Sequence, residues 1–484
     1  MSDVVLAFDL GTGGCKAALV DAAARVRATA FVAYPTAYPA PGRHEQRPAD
    51  WWDALAAATR ELPLGEHRVR AVALSGHSLA MVPVDAGGAL LLESVPIWSD
   101  VRGSEAARQA FRRIPERDWY TSTGNGFPAG MYTVFKAAGL RGEPRVARIL
   151  GSKDWINARL TGVEATDPSY ASGSGAYDLL TRTLRPDVFE TLGVPARWWP
   201  RIVASSAVIG EVTADAAART GIPAGVPVVA GGVDNSCMAL GAGLDRPGAA
   251  YLSLGSSNWV TVAGAEPVLD DVRRPFVFDH VLPGFYVSAL STFGGGSSLT
   301  WLAGLLGRDG DLDALLAEAA AIPAGAGGLT CVPTLAGGTV AEGGPAVRGA
   351  FLGLDLGHTH GHLARAVVEG IGFSLADAAA TMLPGQSREP ITAVGGGARG
   401  TLMLQVLADL LDRPVTRPAD AQHCAALGAA ALGWLGIGAW DSTEPLHTNG
   451  SGAETVSPAG AGYALARARF HAARAAVRAQ SEVT

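Results

Sequence analysis

The same local pattern occurs twice in this chain, and it constrains the fold more than any other feature. Near the N-terminus, an apolar strand at residues 4–11 ends in a glycine-rich turn, and a second strand follows at once. The pattern returns at residues 249–264, where Gly255-Ser256-Ser257 forms the turn. In each half, helical periodicity then alternates with short β-branched runs. This repeated plan predicts an α/β chain of two lobes with a ligand-binding cleft between them.

The length of 484 residues also favours two domains over a single core. We place the crossover in the glycine-rich segment 241–250, which gives an N-terminal domain at residues 1–245 and a C-terminal domain at residues 246–484. Further predicted elements are a strand at 69–76, a helix with Asp50 at its N-cap, a helix at 363–383, a strand at 391–397 and a helix at 401–412.

The bulk composition excludes several classes of partner. The net charge is −7 with acids and bases interspersed, so no basic block favours nucleic acid or an anionic membrane surface. The four cysteines are far apart and form no CxxC, which argues against structural zinc and a disulfide framework. The N-terminus lacks a signal-peptide pattern, and no apolar stretch reaches the roughly 18 residues of a membrane span. We therefore expect a cytoplasmic protein.

The first turn, Gly11-Thr12-Gly13, carries groups that suit phosphate binding. Its glycines expose backbone N–H groups, Thr12 adds a hydroxyl and Lys16 adds a positive charge, while Asp9 is suited to a hydrated Mg²⁺. The turn is not a Walker A loop, and a strand follows where a dinucleotide fingerprint needs a helix. On its own, a glycine-rich hairpin is more often only a hairpin.

Three small-residue turns in the second half strengthen this interpretation. Gly255-Ser256-Ser257 stands at the place that matches the first turn, so the two turns are positioned to grip a triphosphate from both sides. Gly397 and Ala398 end a glycine-rich turn between a strand and a helix, where bare backbone lets a flat adenine ring approach. The run at residues 294–298, which includes Gly296, precedes another helix in the same way. Together, the turns predict nucleotide binding.

Asp234 is the carboxylate that the pattern singles out for chemistry. It follows a β-branched strand that ends in Gly231-Gly232. Glycines allow positive φ and close backbone approach, and the strand holds the following side chain still. The alternative is a turn former or a helix N-cap, which is the commoner role for such an aspartate.

With these motifs in place, the chain resembles the FGGY carbohydrate kinases, which belong to the actin-like, ribonuclease H-like ATPase superfamily. The resemblance runs from Asp9 to about Gly433. The segments that carry it are DLGT (9–12), HEQRPADWW (44–52), IWSDVR (97–102), Lys153-Asp154, GGVDN (231–235), GAFLGLDLGHTHGHLARAVVE (349–369) and GGGARGTLMLQVLAD (395–409). It implies two actin-like domains, the first binding sugar and the second binding nucleotide.

Within that family, TSTGN (121–125) and SLGSS (253–257) are most similar to xylulokinase-like pentulose kinases. Three segments depart from that pattern. The run after Gly76 is His77-Ser78-Leu79-Ala80, the GGTVAEGGPA segment (337–346) lacks the usual arginine, and the signature at residues 131–136 is half matched. These departures leave phosphoryl transfer intact and leave the identity of the sugar open.

The resemblance implies ATP-dependent phosphorylation of a terminal hydroxyl, with Asp234 as catalytic base and Asp9 binding Mg²⁺ through water. A tryptophan face suits the C–H side of a sugar, and polar groups read its hydroxyls. The candidate sugar contacts are His77, Ser78, Trp98, Asp100, Asp234 and Asn235. The candidate ATP contacts are Gly11, Thr12, Gly13, Lys16, Gly255, Ser256, Ser257, Gly296, Gly397 and Ala398.

D-xylulose leads the candidate substrates, ahead of ribulose, other ketoses and polyols such as erythritol and xylitol. Glycerol ranks lower, because an Arg-Glu pair after Gly76 is missing. Two other classes stay open, a non-sugar actin-fold ATPase and a catalytically inactive sugar sensor. The partner we expect is a small sugar or polyol, with neither nucleic acid nor membrane, and the resemblance allows a homodimer.

Overall fold

The computed structural model describes residues 1–383, 388–448 and 452–481, and the chain forms two compact units. Unit 1 consists of Met1–Pro247, Ala263–Val287 and His423–Asn449. Unit 2 consists of Gly248–Val262, Ser288–Gln422 and Gly450–Thr484. The expected division at residue 245 lies beside the first crossing, and two later segments return to unit 1. That one half binds sugar and the other nucleotide stays a prediction.

Strands and helices alternate along both units. The strands are β1 Ser2–Gly11, β2 Gly14–Asp21, β3 Val26–Ala33, β4 Ala37–Ala40, β5 Arg43–Gln46, β6 His67–Gly76, β7 Val82–Val84, β8 Val95–Pro96, β9 Arg148–Leu150, β10 Ala165–Thr166, β11 Tyr177–Asp178, β12 Thr183–Leu184, β13 Arg201–Ile202, β14 Val208–Glu211, β15 Pro227–Val229, β16 Gly232–Val233, β17 Ala250–Leu254, β18 Asn258–Gly264, β19 Phe276–Asp279, β20 Tyr286–Thr292, β21 Thr330–Val332, β22 Ala350–Leu352, β23 Ile391–Val394, β24 Val415–Arg417 and β25 Glu454–Val456.

The helices include every one that the sequence predicts. They are α1 Pro48–Glu61, α2 Ser104–Ala110, α3 Glu116–Thr123, α4 Thr133–Ala137, α5 Ser152–Thr161, α6 Pro168–Ser172, α7 Pro186–Leu192, α8 Ala214–Thr220, α9 Asp234–Gly241, α10 Gly296–Leu305, α11 Leu312–Ala320, α12 His360–Met382, α13 Thr401–Leu411, α14 Cys424–Gly436, α15 Glu444–Thr448 and α16 Ala464–Ser481. None of the helices in the described ranges is both long and apolar enough to cross a membrane.

The start of α1 differs from the prediction. Its N-cap is Arg47, and Asp50 lies within the first turn instead of capping it. Pro48 accounts for the earlier start, because its fixed φ suits the first helical position and its missing N–H removes one unsatisfied donor. Asp50 still faces the positive end of the helix dipole there.

The central sheet of unit 1 has the strand order β14-β15-β6-β1-β2-β3, and β16 also pairs with β6. The first three strands along the chain form a meander, with β1 antiparallel to β2 and β2 antiparallel to β3. Strand β6 runs parallel to β1, and β15 and β16 run parallel to β6. The carboxyl ends of β1, β6 and β16 therefore meet at one edge of the sheet.

Alternating side chains of this sheet build two cores. Leu6 and Phe8 of β1 pack into a cluster that contains Trp51 of α1 and Ile156 of α5. Val5 of β1 packs with residues of α9 and α14 on the opposite face. Successive side chains of a strand point to opposite faces, so Asp9 belongs to the face that α9 covers. This alternation is what places the helix that begins at Asp234 over the end of β1.

Helices α9 and α14 cross where each has a glycine. A Cβ on Gly241 would lie 1.8 Å from the carbonyl oxygen of Cys424, and one on Gly428 would lie 1.9 Å from that of Cys237. Both distances are far below van der Waals contact, so only glycine fits at either position. The crossing fixes α9 against a rigid neighbour.

In unit 2, the strands β17, β23, β24 and β25 are consecutive neighbours in a second sheet. Strand β17 is antiparallel to β18 and parallel to β23, which repeats the arrangement of β1, β2 and β6. The long helix α12 is buried along most of its length. Its Arg365 pairs with Glu369 at 2.7 Å and donates to the hydroxyl of Tyr463 at 2.7 Å. The duplicated plan inferred from the sequence is therefore present in the two sheets.

Candidate active site

Two carboxylates lie at the carboxyl edge of the unit 1 sheet. Asp9 of β1 pairs with Ser75 of β6, and Ser75 pairs in turn with Gly232 of β16. Asp234 follows β16 directly and opens α9. The Ser75 hydroxyl donates to Asp9 Oδ1 at 3.3 Å, and the backbone N–H of Asn235 donates to Asp234 Oδ1 at 2.8 Å. Parallel pairing thus joins two residues that are distant in sequence.

The environment of these carboxylates favours their protonated forms. Burial and the nearby charge of Asp9 raise the pKa of Asp234 to about 7. Burial also raises the pKa of Asp9, although Lys16 and the Ser75 hydroxyl oppose the shift. A carboxylate whose pKa lies near neutrality is well matched to accept a proton at physiological pH. Such matched values are typical of catalytic positions, although structural ion networks produce them as well.

The glycines before Asp234 have the backbone properties that the sequence predicts. Gly231 has a φ of +73°, and a Cβ there would lie 2.0 Å from the carbonyl oxygen of Leu74. At Gly232, a Cβ would lie 2.3 Å from a methyl group of Val281. The chain therefore reaches the sheet edge only because both residues lack a side chain. Asp234 is also the first residue of a helix, so the structural and the chemical reading of this position are compatible.

The turn between β1 and β2 is anchored through its carbonyl groups. The hydroxyl of Tyr34 donates to Gly11 O at 2.5 Å, and the amide of Gln46 donates to Thr12 O at 2.7 Å. The indole N–H of Trp98 donates to the Thr12 hydroxyl at 2.9 Å. Gly13 is exposed at the tip, with open space where its Cβ would be. The structure thus brings the candidate phosphate contact Thr12 together with the candidate sugar contact Trp98.

Lys16 lies next to Asp9, because their positions are paired across the β1–β2 hairpin. Its Nζ is 3.7 Å from Asp9 Oδ2, and its side chain is about half exposed. The ammonium therefore faces a carboxylate in this structure. Its predicted role in phosphate binding stays a prediction.

His77 and Asp100, two predicted sugar contacts, are buried and support loops. The ring of His77 packs edge-on against Trp51 at 5.2 Å, and burial lowers the pKa of His77 to about 4. Asp100 is fully buried, and both of its oxygens accept hydrogen bonds from Arg102. These bonds hold the pKa of Asp100 below its ordinary value despite burial. Their side chains are not exposed to a sugar in this state.

The other predicted sugar contacts are accessible. Trp98 is 41% exposed, which is high for a tryptophan and leaves much of its ring uncovered. Ser78 and Asn235 are half-buried, as is Asp234. A sugar could therefore touch four of the predicted contacts without any movement of the surrounding side chains. They are Ser78, Trp98, Asp234 and Asn235.

Lys136 is a supporting residue that the sequence reasoning did not single out. It is 2% exposed, and its Nζ donates to Leu79 O at 2.9 Å and to Ile97 O at 2.7 Å. These carbonyls lie next to Ser78 and Trp98, so one ammonium joins the two loops that carry these predicted sugar contacts. Burial lowers the pKa of Lys136 to about 7. A lysine inside the apolar run TVFKAAGL was the signal in the sequence, because lysine is almost never fully buried without partners.

Ser75 and Gln46 were also missed. Ser75 holds Asp9, and the amide of Gln46 holds the turn at Thr12 while its carbonyl oxygen accepts from Trp51 at 2.9 Å. The alternation of side chains along β6 could have identified Ser75 as a polar residue on a buried face, since Ala71, Ala73 and Ser75 point to the same side of the sheet. Gln46 lies in HEQRPADWW (44–52), one of the segments that carry the family resemblance, and that motif was the available signal.

The predicted nucleotide contacts of unit 2 converge on the end of β17. The N–H of Gly296 donates to Gly255 O at 2.8 Å, and the hydroxyl of Ser297 donates to Ser256 O at 3.0 Å. A Cβ on Gly397 would lie 3.0 Å from the side chain of Leu254, the last residue of β17. Three turns that are separate in sequence therefore form one surface. The N-terminus of α10 lies in it and supplies backbone N–H groups of the kind that bind anions.

Within this group, Gly397 is exposed and Ala398 is buried directly after it. Ser256 is exposed, and Gly255 and Ser257 are partly exposed. Exposed backbone at Gly397 is consistent with a flat ring lying on this turn. That these residues contact ATP stays a prediction.

The donors around Asp9 fit a hydrated cation better than a protein-held metal. Among the residues that the structure describes, no three His, Cys, Asp or Glu side chains form a group able to hold a metal ion. Asp9 keeps acceptor capacity, because its contacts with Ser75 and Lys16 are long. Mg²⁺ commonly keeps several waters and binds one or two carboxylates together with substrate phosphates. Asp9 fits that donor set.

Comparison with known proteins identifies the family. Residues 4–241 match the N-terminal domain of the FGGY family of carbohydrate kinases, and residues 250–436 match its C-terminal domain. The chain belongs to the FGGY family of carbohydrate kinases. It is therefore an ATP-dependent carbohydrate kinase with the two-domain, actin-like α/β fold, as the sequence predicts.

Individual FGGY relatives cover almost the whole chain. A xylulose kinase from Staphylococcus epidermidis is 30% identical over 444 residues, which span 90% of this chain and 89% of the relative. A glycerol kinase from Gloeobacter violaceus is 30% identical over 454 residues, with 91% and 89% covered. The crystal structure of xylulose kinase from Rhodospirillum rubrum has a TM-score of 0.86 and 31% identity, and the match covers 99% of this chain and 98% of that one.

Proposed function

We propose that this FGGY kinase transfers the terminal phosphoryl group of ATP to a terminal hydroxyl of a pentulose, with D-xylulose as the leading substrate. The observation that carries the proposal is the Asp9–Asp234 pair at the carboxyl edge of the unit 1 sheet. The xylulose kinases of similar sequence support the choice of sugar.

Asp234 accepts the proton of the attacking hydroxyl. Phosphoryl transfer passes through a loose transition state, so positioning of the hydroxyl contributes more than the strength of the base. The carboxylate must lie within about 2.6–3.2 Å of the hydroxyl in the productive complex. A pKa of about 7 supports this role, because Asp234 is then substantially ionised at neutral pH and is still basic enough to take the proton.

Substrate and nucleotide bind to the accessible groups described above. Trp98 offers a ring face to the C–H side of the sugar, and Ser78 and Asn235 offer polar groups to its hydroxyls. Thr12 and the turns around Gly255 and Gly397 hold the nucleotide. Asp9 would hold Mg²⁺ through water, and the bound ion would supply charge neutralisation at the phosphate oxygens.

Glycerol or another polyol is the second candidate for the acceptor. The glycerol kinase from Gloeobacter violaceus is as similar in identity and coverage as the xylulose kinase from Staphylococcus epidermidis. The first loop after β6, which begins at His77, is where the two acceptors would be distinguished. This loop departs from the pentulose-kinase pattern, and it also lacks an Arg-Glu pair like that of glycerol kinases, so glycerol ranks behind the pentuloses.

An ADP-release assay over ketoses and polyols tests the proposal. We expect D-xylulose to give a kcat/KM at least about tenfold above ribulose, erythritol, xylitol and glycerol, which corresponds to about 1.4 kcal/mol of transition-state discrimination. A higher value for glycerol would replace the pentulose assignment with the polyol one. ADP release that needs no acceptor would instead indicate a non-sugar ATPase. No ADP release with any acceptor would indicate a sugar sensor.

A further inference from the structure

The residue before Asp234 is held from outside the sheet by a buried serine. The backbone N–H of Val233 donates to Ser169 Oγ at 3.0 Å. Val233 is the N-cap residue of α9, and its own side chain makes no capping hydrogen bond. Ser169 is fully buried and lies in α6, a different segment of unit 1. The point from which the Asp234 side chain projects is therefore fixed by a hydroxyl that is remote in sequence.

The Ser169 hydroxyl is itself oriented by a carboxylate. It donates to Asp167 Oδ2 at 2.5 Å, and the backbone N–H of Ser169 donates to the same oxygen at 3.0 Å. A hydroxyl has one hydrogen, so donation to Asp167 turns its lone pairs toward other donors. The hydrogen bond from Val233 uses one of these lone pairs. The Ser169 hydroxyl thus donates to Asp167 and accepts from Val233, so it links Asp167 to the start of α9 in one orientation.

A buried ion pair holds Asp167 in place. The Nζ of Lys153 lies 3.0 Å from Asp167 Oδ1 and 2.5 Å from Asp154 Oδ1, and all three side chains are shielded from solvent. Breaking such a pair by removing one partner is costly, because it leaves an uncompensated buried charge. The carboxylate that orients Ser169 therefore has little freedom to move.

The backbone beside Ser169 has no free space either. A Cβ on Gly232 would lie 3.1 Å from Ser169 Oγ and 3.0 Å from Cys237 Sγ. Gly232 and Val233 also pair with Ser75 and Gly76 of β6. The main chain before Asp234 is therefore held by the sheet on one side and by Ser169 on the other.

We propose that Ser169 is a positioning residue for phosphoryl transfer, which sets the place of the Asp234 carboxylate through the hydrogen bond to Val233. Asp167 and Lys153 orient its hydroxyl. This inference rests on the proposed function, in which Asp234 is the base. It assigns a kinetic role to a residue in α6 that does not touch the substrate.

Ser205 offers a matched control. Its hydroxyl donates to the same oxygen, Asp167 Oδ2, at 2.8 Å, and the residue is 3% exposed. The N–H of Val233 donates to Ser169 and not to Ser205, whose hydroxyl donates to Asp167. Ser169→Ala and Ser205→Ala therefore each remove one hydrogen bond to Asp167, but only the first releases the start of α9.

The experiment compares steady-state kinetics and thermal unfolding of these two variants in the full-length protein. We expect Ser169→Ala to lower kcat about 10- to 100-fold, the loss that a displacement of about 1 Å at a reacting group produces. The KM values for sugar and ATP should change less than about threefold. Ser205→Ala should keep kcat within about twofold of the wild-type value. Its melting temperature should fall by about as much as that of Ser169→Ala, because each variant loses one hydrogen bond to Asp167. Ser169→Cys, which keeps a weak acceptor of similar size, should give an intermediate kcat and serves if the alanine variant does not fold.

Equal kcat values for Ser169→Ala and Ser205→Ala would overturn the positioning role. If Ser169→Ala does not fold, a wild-type kcat in Ser169→Cys would overturn it instead. Asp234→Asn is measured in parallel to keep the two proposals separate. If it loses at least about 100-fold while the serine variants match each other, the proposed function stands and the positioning role falls. If it keeps more than about 1% of turnover, the base assignment fails, and the positioning role falls with it.

Discussion

The Asp234 carboxyl, already shifted by burial, has its pKa raised further by the neighbouring charge of Asp9, to about 7. Asp9 lies on β1 and Asp234 directly follows β16, and both strands pair with β6. Each carboxylate opposes ionisation of the other, because two like charges repel at short distance. A bound cation or a proton taken up from the substrate would weaken this repulsion. The same repulsion makes the stability of the unliganded protein depend on pH.

Asp234→Asn should stabilise the unliganded protein at pH 8. The folded-state pKa of Asp234 is about 7 and the ordinary value is 3.8, so the folded state binds more protons between these values. Wild-type stability therefore falls as pH rises through this window, by up to about 1.4 kcal/mol per pH unit. Asparagine does not titrate, so its advantage at pH 8 should shrink as pH falls toward 5. Thermal unfolding at pH 5, 6, 7 and 8 measures this, and the exposed Asp53→Asn is the control. A constant difference across these pH values would contradict the raised pKa.

Asp9→Asn should move this pH dependence downward. The substitution removes the negative charge that helps to raise the pKa of Asp234. In the Asp9→Asn background, we expect the midpoint of the Asp234→Asn effect to fall by about one pH unit, within the range that a like charge produces. The same unfolding measurement applies, with no nucleotide or metal present. An unchanged midpoint would mean that burial alone accounts for the shift.

Lys136→Met should weaken sugar binding more than ATP binding. Lys136 joins the carbonyls of Leu79 and Ile97, which lie next to the proposed sugar contacts Ser78 and Trp98. Methionine fills a similar volume without donating, so both loops lose their common donor. We expect the KM for sugar to rise about tenfold, equivalent to about 1.4 kcal/mol, while the KM for ATP changes less than about twofold. Equal increases in both KM values would point to general unfolding of the site.

The same variant has a distinct stability signature. Burial lowers the pKa of Lys136 from 10.5 to about 7, so the unfolded state binds more protons between these values. Wild-type stability therefore gains up to about 1.4 kcal/mol per unit as pH rises from 7 to 10, and the methionine variant lacks this gain. The destabilisation caused by Lys136→Met should accordingly grow between pH 7 and pH 9. Chemical unfolding at both pH values checks the sign.

Gly428→Ala should disturb α9 from its far end. The added Cβ would lie 1.9 Å from the carbonyl oxygen of Cys237, and backbone cannot yield as a side chain does. We expect a loss of about 3 kcal/mol in unfolding free energy, at the upper end for overpacking, together with reduced kcat. Gly139→Ala, where a Cβ meets no atom within 4 Å, is the matched control. Wild-type stability and turnover in Gly428→Ala would show that α9 tolerates displacement.

The elements of this fold that could be predicted are those with strong local signals. The continuous apolar run of β1 and the glycines before Asp234 indicated the two strand ends, and the small-residue turns indicated the surface around Gly255. Which candidate sugar contacts are exposed was harder to predict, because the burial of a side chain depends on tertiary packing. His77 and Asp100 have the polar groups of sugar contacts, yet Trp51 covers the first and Arg102 occupies the second. Ser169 and Lys136 act across elements that only the folded chain brings together.

The sheet edge also has a consequence for how the acceptor specificity of this chain could be changed. Asp9 and Asp234 are fixed by parallel strand pairing and by a glycine crossing, which tolerate few substitutions. Ser78 and Trp98 lie instead on loops outside that framework, tied by the single ammonium of Lys136. If the proposed roles hold, substitutions at Ser78 and Trp98 can alter the acceptor while Asp9 and Asp234 stay in place, so substrate range can change without a change of reaction chemistry.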